Sequence, residues 1–167
     1  STFLEEVLKR ISLASGKDEE GHYRAVSSSF IVSADNAHAV HPNHPEKADP
    51  VNRPMVNKGI VIKFNAAQHY TTDAVSCAVY RDLCESNDIP VQVFTNRSDT
   101  RGGSTLGNVS NAHVSLNTVD IGLAQLAMHS CYETVGARDT KNLVDVMTVF
   151  YSKTFRVDKA GSFELVD

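Results

Sequence analysis

With 167 residues, 41% of them hydrophobic, the chain is sized for one compact domain around a single core. Sixteen Lys and Arg against twenty Asp and Glu give a net charge of -4, with no basic stripe or run of like charges, which argues against nucleic-acid and anionic-lipid partners. No apolar run approaches the ~20 residues of a membrane span, and the opening STFLEEVLKRI is too charged for a secretory signal, so an intracellular, cytoplasmic protein is expected. Cys77, Cys84 and Cys131 include no Cys-x-x-Cys pair. Cys77 and Cys84 are expected on one helix, too far apart along its axis to bridge, which fits reduced thiols that pack.

Phe3, Val7, Leu8 and Ile11 recur at helical spacing, so the first element is an amphipathic helix ending near Ser15 and Gly16, followed by a polar loop. SSSFIVSA reads as a short buried strand that ends at Asp35. Asn36 to Lys58 is a long irregular loop of Pro, Asn, His and charge, and loops of that length in compact domains are usually functional or disordered. KGIVIKFN is the next strand. A helix from about Thr72 to Ser86, starting with capping-type Thr and Asp, leads to a third strand, VQVFTN. A Gly-rich turn, RSDTRGGSTLG, then opens a helix running to His113. NTVDIGLA is a further strand, the segment around Met128 to Glu133 begins another helix, and TKNLVDVMTVFYSKTF closes the chain as a long amphipathic helix. Alternating Val/Ile-rich strands and helices predict an α/β fold, a mixed and mostly parallel sheet with helices on both faces.

Open α/β sheets bind ligands at the carboxyl ends of their strands. Asp35, the turn after Asn96, and His129 all fall at such ends and are expected to converge on one crevice. In SADNAHAVHPNHPEKADP, Asp35 with His38, His41 and His44 offers one oxygen and three nitrogen donors of the kinds zinc prefers. Pro42 and Pro45 rule out a regular helix through the cluster, so solvated loop histidines are the competing reading. A carboxylate buried at a strand end has to be paired, hydrogen-bonded or metal-bound, which leaves Asp35 as either a structural partner or a functional group. TRGGSTLG has glycines that would let backbone amides approach an anion, but it lacks the Lys of a phosphate loop; close packing is the plainer reading. Lys63 either meets a substrate carboxylate or projects into solvent.

Taken in order, SADNAHAVHPNHPEKADPVNRP, NKGIVIKFNAAQHYTTDAVS, RGGSTLGNVSNAH and TVDIGLAQLAMHSCYETVGARD resemble the aspartyl aminopeptidase family of dinuclear-zinc exopeptidases, over nearly the whole chain. The segments D-x-A-H-A-x-H-P-N and Q-L-A-M-H-S carry the likeness most specifically. The resemblance implies a three-layer αβα sandwich and a site with two Zn2+ ions about 3.5–4 Å apart sharing a carboxylate and a water. It implies removal of single N-terminal residues, acidic ones preferred, from peptides with a free N-terminus. By position, Asp35 matches the carboxylate on one zinc and His129 the imidazole on the other. His38 and Lys63 match substrate-pocket residues, and His41 and His44 carry over no ligand role.

The chain departs from the family pattern at Asn52, where eukaryotic members often have a loop histidine just before Arg-Pro. Family members are also considerably longer. Their upstream part holds the first zinc histidine, the bridging Asp and the Glu pair that supplies the general base, so no catalytic base is expected in this chain. STFLEEVLKRIS resembles the helix that follows that Glu pair. Residues 1–167 are therefore expected to be a C-terminal portion of the catalytic domain, with the upstream part of the same protein as a partner, dodecameric assembly as in the family, and no hydrolysis by this chain alone. The alternative from another class is a non-enzymatic metal-binding or interaction module built on the His-rich loop.

Overall fold

The computed structural model describes residues 2–158 and 162–166. Its main sheet has four strands in the order β1-β5-β3-β4: β1 (Phe30–Ala34), β3 (Ile60–Phe64), β4 (Val91–Thr95) and β5 (Asn117–Gly122). β1 runs parallel to β5 and β3 parallel to β4, whereas β3 and β5 are antiparallel, so the sheet is mixed as expected. A second, three-stranded sheet orders β2 (Ala37–His38), β6 (Ala124–Leu126) and β7 (Thr134–Val135).

The period-2 alternation of the central strands divides the molecule. Ile60 and Ile62 of β3 and Val119 and Ile121 of β5 point to one face, where they pack with Tyr80, Leu83 and Cys84 of α3 (Ala74–Glu85) and Val146 of α5 (Ala137–Ser152). The intervening residues, Val61, Lys63 and Asp120, face the opposite side, which is covered by α4 (Leu106–Asn111), Tyr70 and the small sheet. Helices thus cover both faces, but on the second face a six-residue helix shares the cover with strands and loops.

α1 (Phe3–Ala14) ends before Gly16, whose φ of 72° suits glycine. α3 begins at a full capping box: the Asp73 carboxylate accepts from Ser76 N at 2.7 Å and Ser76 Oγ accepts from Asp73 N at 3.0 Å. It carries both Cys77 and Cys84.

Three expectations fail. The polar stretch after α1 is a helix, α2 (Glu19–Ser27), with Asp18 as N-cap accepting from Gly21 N at 2.8 Å; its buried His22 bonds Ser12 Oγ at 2.9 Å, so it is held against α1 by a polar contact that apolar periodicity does not register. The segment Met128 to Glu133 is no helix. Ala127 and His129 have φ of 54° and 67°, incompatible with a right-handed helix, and the chain turns there from β6 into antiparallel β7. Finally, α5 stops at Ser152, and an antiparallel hairpin follows, β8 (Thr154–Val157) with β9 (Phe163–Val166). Phe155 of β8 packs on Phe30 at 5.0 Å between ring centres, and Phe30 also meets Phe150 of α5 at 6.1 Å.

Candidate metal centre and substrate cleft

Asp35 follows β1, Asn96 follows β4 and His129 follows β6, and all three line one cleft of about 440 Å3, together with His38 and Lys63. The convergence of strand ends on one crevice therefore holds. His41 and His44 line it too, as do Arg97 and residues 100–105 of the Gly-rich turn.

The floor is built from buried charge. Lys63 is 1% exposed, and its ammonium donates to the Asp35 backbone carbonyl at 2.8 Å. It does not project into solvent. Burial pulls the Lys63 pKa below the usual lysine value, while Asp35 and Asp120 pull it back up. Tyr70, with Lys63 Nζ 5.2 Å from its ring centre, completes this part of the floor, and burial raises its phenol pKa with Asp120 and Asp35 adding to the shift. Gly122 lets β5 come this close: a Cβ there would lie 2.0 Å from the Asp35 carbonyl oxygen.

Asp120, fully buried, is the hub behind the floor. Its carboxylate accepts from Thr71 N at 2.6 Å, Thr71 Oγ1 at 2.8 Å and Thr105 Oγ1 at 2.8 Å, so one side chain ties the Tyr70 segment and the end of the Gly-rich turn to β5. Sequence reasoning passed over both Asp120 and Tyr70. A lone Asp inside the apolar run NTVDIGLA was the available signal, since a carboxylate in a buried strand needs several donors.

Asp35 itself is exposed rather than buried. The expectation of a desolvated carboxylate is corrected, because β1 ends at Ala34 and the side chain opens onto the cleft. Among the described residues neither the Asp35 carboxylate nor the His129 imidazole has a hydrogen-bond or ion-pair partner, which leaves both donor atoms available. The small sheet sets their spacing: His38 is paired with Gln125 in the β2/β6 register, Asn36 Nδ2 donates to Gln125 Oε1 at 2.6 Å, and Leu123 N donates to Asn36 Oδ1 at 3.2 Å. Burial, and then the nearby His129, lower the His38 pKa below the usual histidine value.

The His-rich loop is held by local contacts. The His41 and His44 rings lie 5.3 Å apart, His41 Nδ1 accepts from Asn43 N at 3.1 Å, and His44 Nδ1 lies 3.2 Å from Glu46 Oε1. Arg97 pins this loop to the Gly-rich turn, donating to the Glu46 carbonyl and, at 2.8 and 2.5 Å, to both oxygens of Asp99. Asn52, the departure from the family pattern, bonds Thr95 Oγ1 at 3.1 Å. Two of the three glycines of TRGGSTLG serve packing, while Gly103 has open space around it: a Cβ on Gly102 would sit 2.7 Å from Asn96 Oδ1, and one on Gly107 2.7 Å from Ser33 Oγ, which instead accepts the Gly107 amide at 3.1 Å. That amide faces β1 rather than an anion in the cleft.

No group of three or more His, Cys, Asp or Glu among the described residues is arranged to hold a metal ion. This counts against the His-rich loop as a self-sufficient metal module. It is compatible with Asp35 and His129 as single donors to two separate ions, since an oxygen and an imidazole nitrogen suit zinc and both open onto the same space. The lining is otherwise cationic, with Lys47, Lys63, Arg97 and Arg101 against the carboxylates of Asp35 and Asp49. No helix among the described residues is long and apolar enough to cross a membrane.

Comparison with known proteins places these features in a family. Residues 1–151 match the profile of the aminopeptidase I zinc metalloproteases, M18. A probable M18 family aminopeptidase 2 of Clostridium acetobutylicum is 49% identical over 152 residues, 91% of this chain and 35% of that protein. One from Stutzerimonas stutzeri is 45% identical over 150 residues, 90% and 34% of the respective lengths. The chain thus spans about a third of the length of these curated relatives. Among solved structures, a chain of the cryo-EM structure of the Ape4 and Nbr1 complex superposes with a TM-score of 0.87 at 40% identity, covering 90% of this chain and 29% of that one. The S. cerevisiae mApe1 dodecamer gives 0.76 at 29% identity, covering 90% and 33%. On a match that takes in both strand-end motifs and the sheet that brings them together, the chain belongs to the M18 family of aminopeptidase I zinc metalloproteases.

Proposed function

We propose that this chain forms one wall of the active site of a zinc aminopeptidase that releases single N-terminal residues from peptides. Asp35 gives a carboxylate oxygen to one of two zinc ions and His129 an imidazole nitrogen to the other. The observation that carries this reading is that two side chains far apart in sequence open onto one cleft with their donor atoms unengaged, in a chain of an M18 metalloprotease. When bound, zinc supplies Lewis acidity, lowering the pKa of water and polarising the scissile carbonyl. The remaining ligands and the general base belong to an upstream part of the same polypeptide, and residues 1–167 are the C-terminal portion of its catalytic domain.

The chain's own groups then bind and orient. His38, on the cleft wall, offers a ring nitrogen for a hydrogen bond to the substrate. The Lys63 ammonium fixes the backbone carbonyl of Asp35, and with it the direction of the carboxylate, and adds positive charge at the floor. Lys47 and Arg101 on the cleft lining, with the Lys63 ammonium at its floor, favour substrates with acidic N-terminal residues, whereas Arg97 is paired with Asp99. Homo-oligomeric assembly is part of the proposal, supported by a structural relative that is a dodecamer. So is a cytoplasmic setting, in keeping with three free cysteines.

Substitution in the complete zinc enzyme tests the assignment. Asp35→Ala and His129→Ala each remove bound zinc and lower hydrolysis of an acidic aminoacyl substrate by at least about 100-fold. Retention of zinc and of full rates in both variants would refute it. The isolated 167-residue chain is expected to hold zinc weakly and release no amino acid; tight stoichiometric zinc with turnover would contradict the split site.

A further inference from the structure

We propose that Glu133 is a positioning residue for this site: its carboxylate, by accepting the His129 amide, holds the loop between β6 and β7 in the conformation that presents the His129 imidazole to the cleft. The inference rests on the reading of His129 as a zinc ligand. Its starting point is backbone geometry. His129 has φ of 67° and Ala127 φ of 54°, left-handed conformations that a side chain disfavours and that persist only where the surroundings impose them. The contact that imposes this one is short and charge-assisted, His129 N to Glu133 Oε1 at 2.6 Å.

The anchor is firm because Glu133 directly precedes β7, which is registered against β6 through Gln125 with Val135 and Leu126 with Thr134. Ser130 N closes the turn on the Ala127 carbonyl at 3.0 Å, and Tyr132 N donates to Ser130 Oγ at 3.0 Å, so the loop carries its own secondary ties, but among the described residues nothing else grips the His129 amide. Glu133 takes part in none of the ion pairs among the described residues and does not line the cleft, so it acts through His129 and not on substrate. In a helix, a Glu four residues after a His would lie on the same face; here the left-handed turn bends the backbone so that the carboxylate reaches the amide instead.

The test uses the complete zinc enzyme with three variants, Glu133→Ala, Glu133→Gln and His129→Ala. Zinc affinity is read by competition with a chelator, and amide exchange of residues 127–133 is read by mass spectrometry in the metal-free protein. Glu133→Ala is expected to weaken zinc binding roughly 10–100-fold and to speed exchange in the loop, with kcat falling more than KM changes and a nearly unchanged unfolding midpoint. Glu133→Gln keeps an acceptor oxygen and is expected to restore most of the affinity and the protection. Wild-type zinc affinity or unchanged exchange in Glu133→Ala overturns the proposal, and so does a Glu133→Gln variant as impaired as Glu133→Ala. Should Glu133→Ala fail to fold, the glutamine variant decides alone, with lost zinc overturning and retained zinc supporting the proposal. If His129→Ala loses zinc while Glu133→Ala does not, positioning fails and the ligand reading stands; if His129→Ala keeps its zinc, the ligand reading fails and takes this inference with it.

Discussion

The two faces of the central strands differ in almost every physical respect, although they are made by adjacent residues. On one face Ile62 and Ile121, both fully buried, pack with Leu83 and Val146 in a dry core. On the other, Lys63 and Asp120 are as deeply buried but polar, and each is held by hydrogen bonds to loops that border the cleft. The first face obtains its stability from non-directional apolar burial, which tolerates small shifts; the second obtains placement from directional bonds, which does not. A protein that has to hold donor atoms at fixed separations needs both, and the period-2 pleat supplies them from the same strands.

The sharpest way to break this comparison is to remove a polar hub. Asp120→Ala leaves the Thr71 amide and two hydroxyls unpaired and removes one of the two carboxylates that favour the charged Lys63, and it is expected to cost about 3–5 kcal/mol by denaturant unfolding. Zinc binding should fall with it. A smaller loss would mean that the network is looser than drawn.

Ile62→Ala is expected to cost about 2–5 kcal/mol through the cavity it leaves, while zinc affinity in the folded protein stays as it was. Parallel loss of zinc would show that the faces are coupled. Gly122→Ala probes the contact between them. A methyl group 2.0 Å from the Asp35 carbonyl forces the strand ends apart, and zinc affinity should drop more than stability does.

The pH dependence of the dry face has a definite sign. Burial, with the charge of Glu85 adding to it, pushes the Cys84 thiol up to about 12 from an ordinary 9.0. The folded state therefore keeps a proton that the unfolded state releases, and the contribution of Cys84 is complete below pH 9 and lost as pH rises from there through about 12. Cys84→Ala should flatten the alkaline fall in unfolding free energy. In native protein at pH 8, exposed Cys131 is expected to alkylate readily and Cys84 only on unfolding. The smallest effect is predicted for His44→Ala. Among the described residues its imidazole meets only the exposed Glu46 and the ring of His41, neither of them an assigned ligand, so zinc content and hydrolysis should remain close to wild type.

The same contrast governs what could be read from the amino-acid sequence. Val- and Ile-rich strands and the apolar stripe of α5 announce themselves, because burial leaves a periodic trace. So does the meeting of Asp35, the turn after Asn96 and His129, once strand ends are taken as the place where ligands bind, whereas His38 and Lys63 entered the pocket only through the family resemblance. What stayed hidden depends on directional bonds. IVIKF looks like a strand whose one charged residue meets either a substrate carboxylate or water, and it takes the Asp35 carbonyl, with the charges of Asp35 and Asp120 nearby, to explain why Lys63 is buried. α2 is held by a Ser12–His22 contact and not by an apolar stripe. AMHSCYE has helix-forming composition, yet two non-glycine residues adopt left-handed conformations, and no local propensity signals that. The start of β8 reads as the end of the preceding helix because Phe155 falls four residues after Tyr151, and the closing segment has no helical or strand period long enough to reveal β9.

The central claim is that Asp35 and His129 serve different ions of one bimetallic centre, and locating zinc by anomalous diffraction from crystals of the complete enzyme tests it most directly. The account predicts two zinc peaks about 3.5–4 Å apart in this cleft, one roughly 2.0–2.2 Å from an Asp35 carboxylate oxygen and the other at a similar distance from a His129 ring nitrogen. Zinc bound elsewhere, or zinc in the cleft with either side chain outside coordination distance, would contradict it.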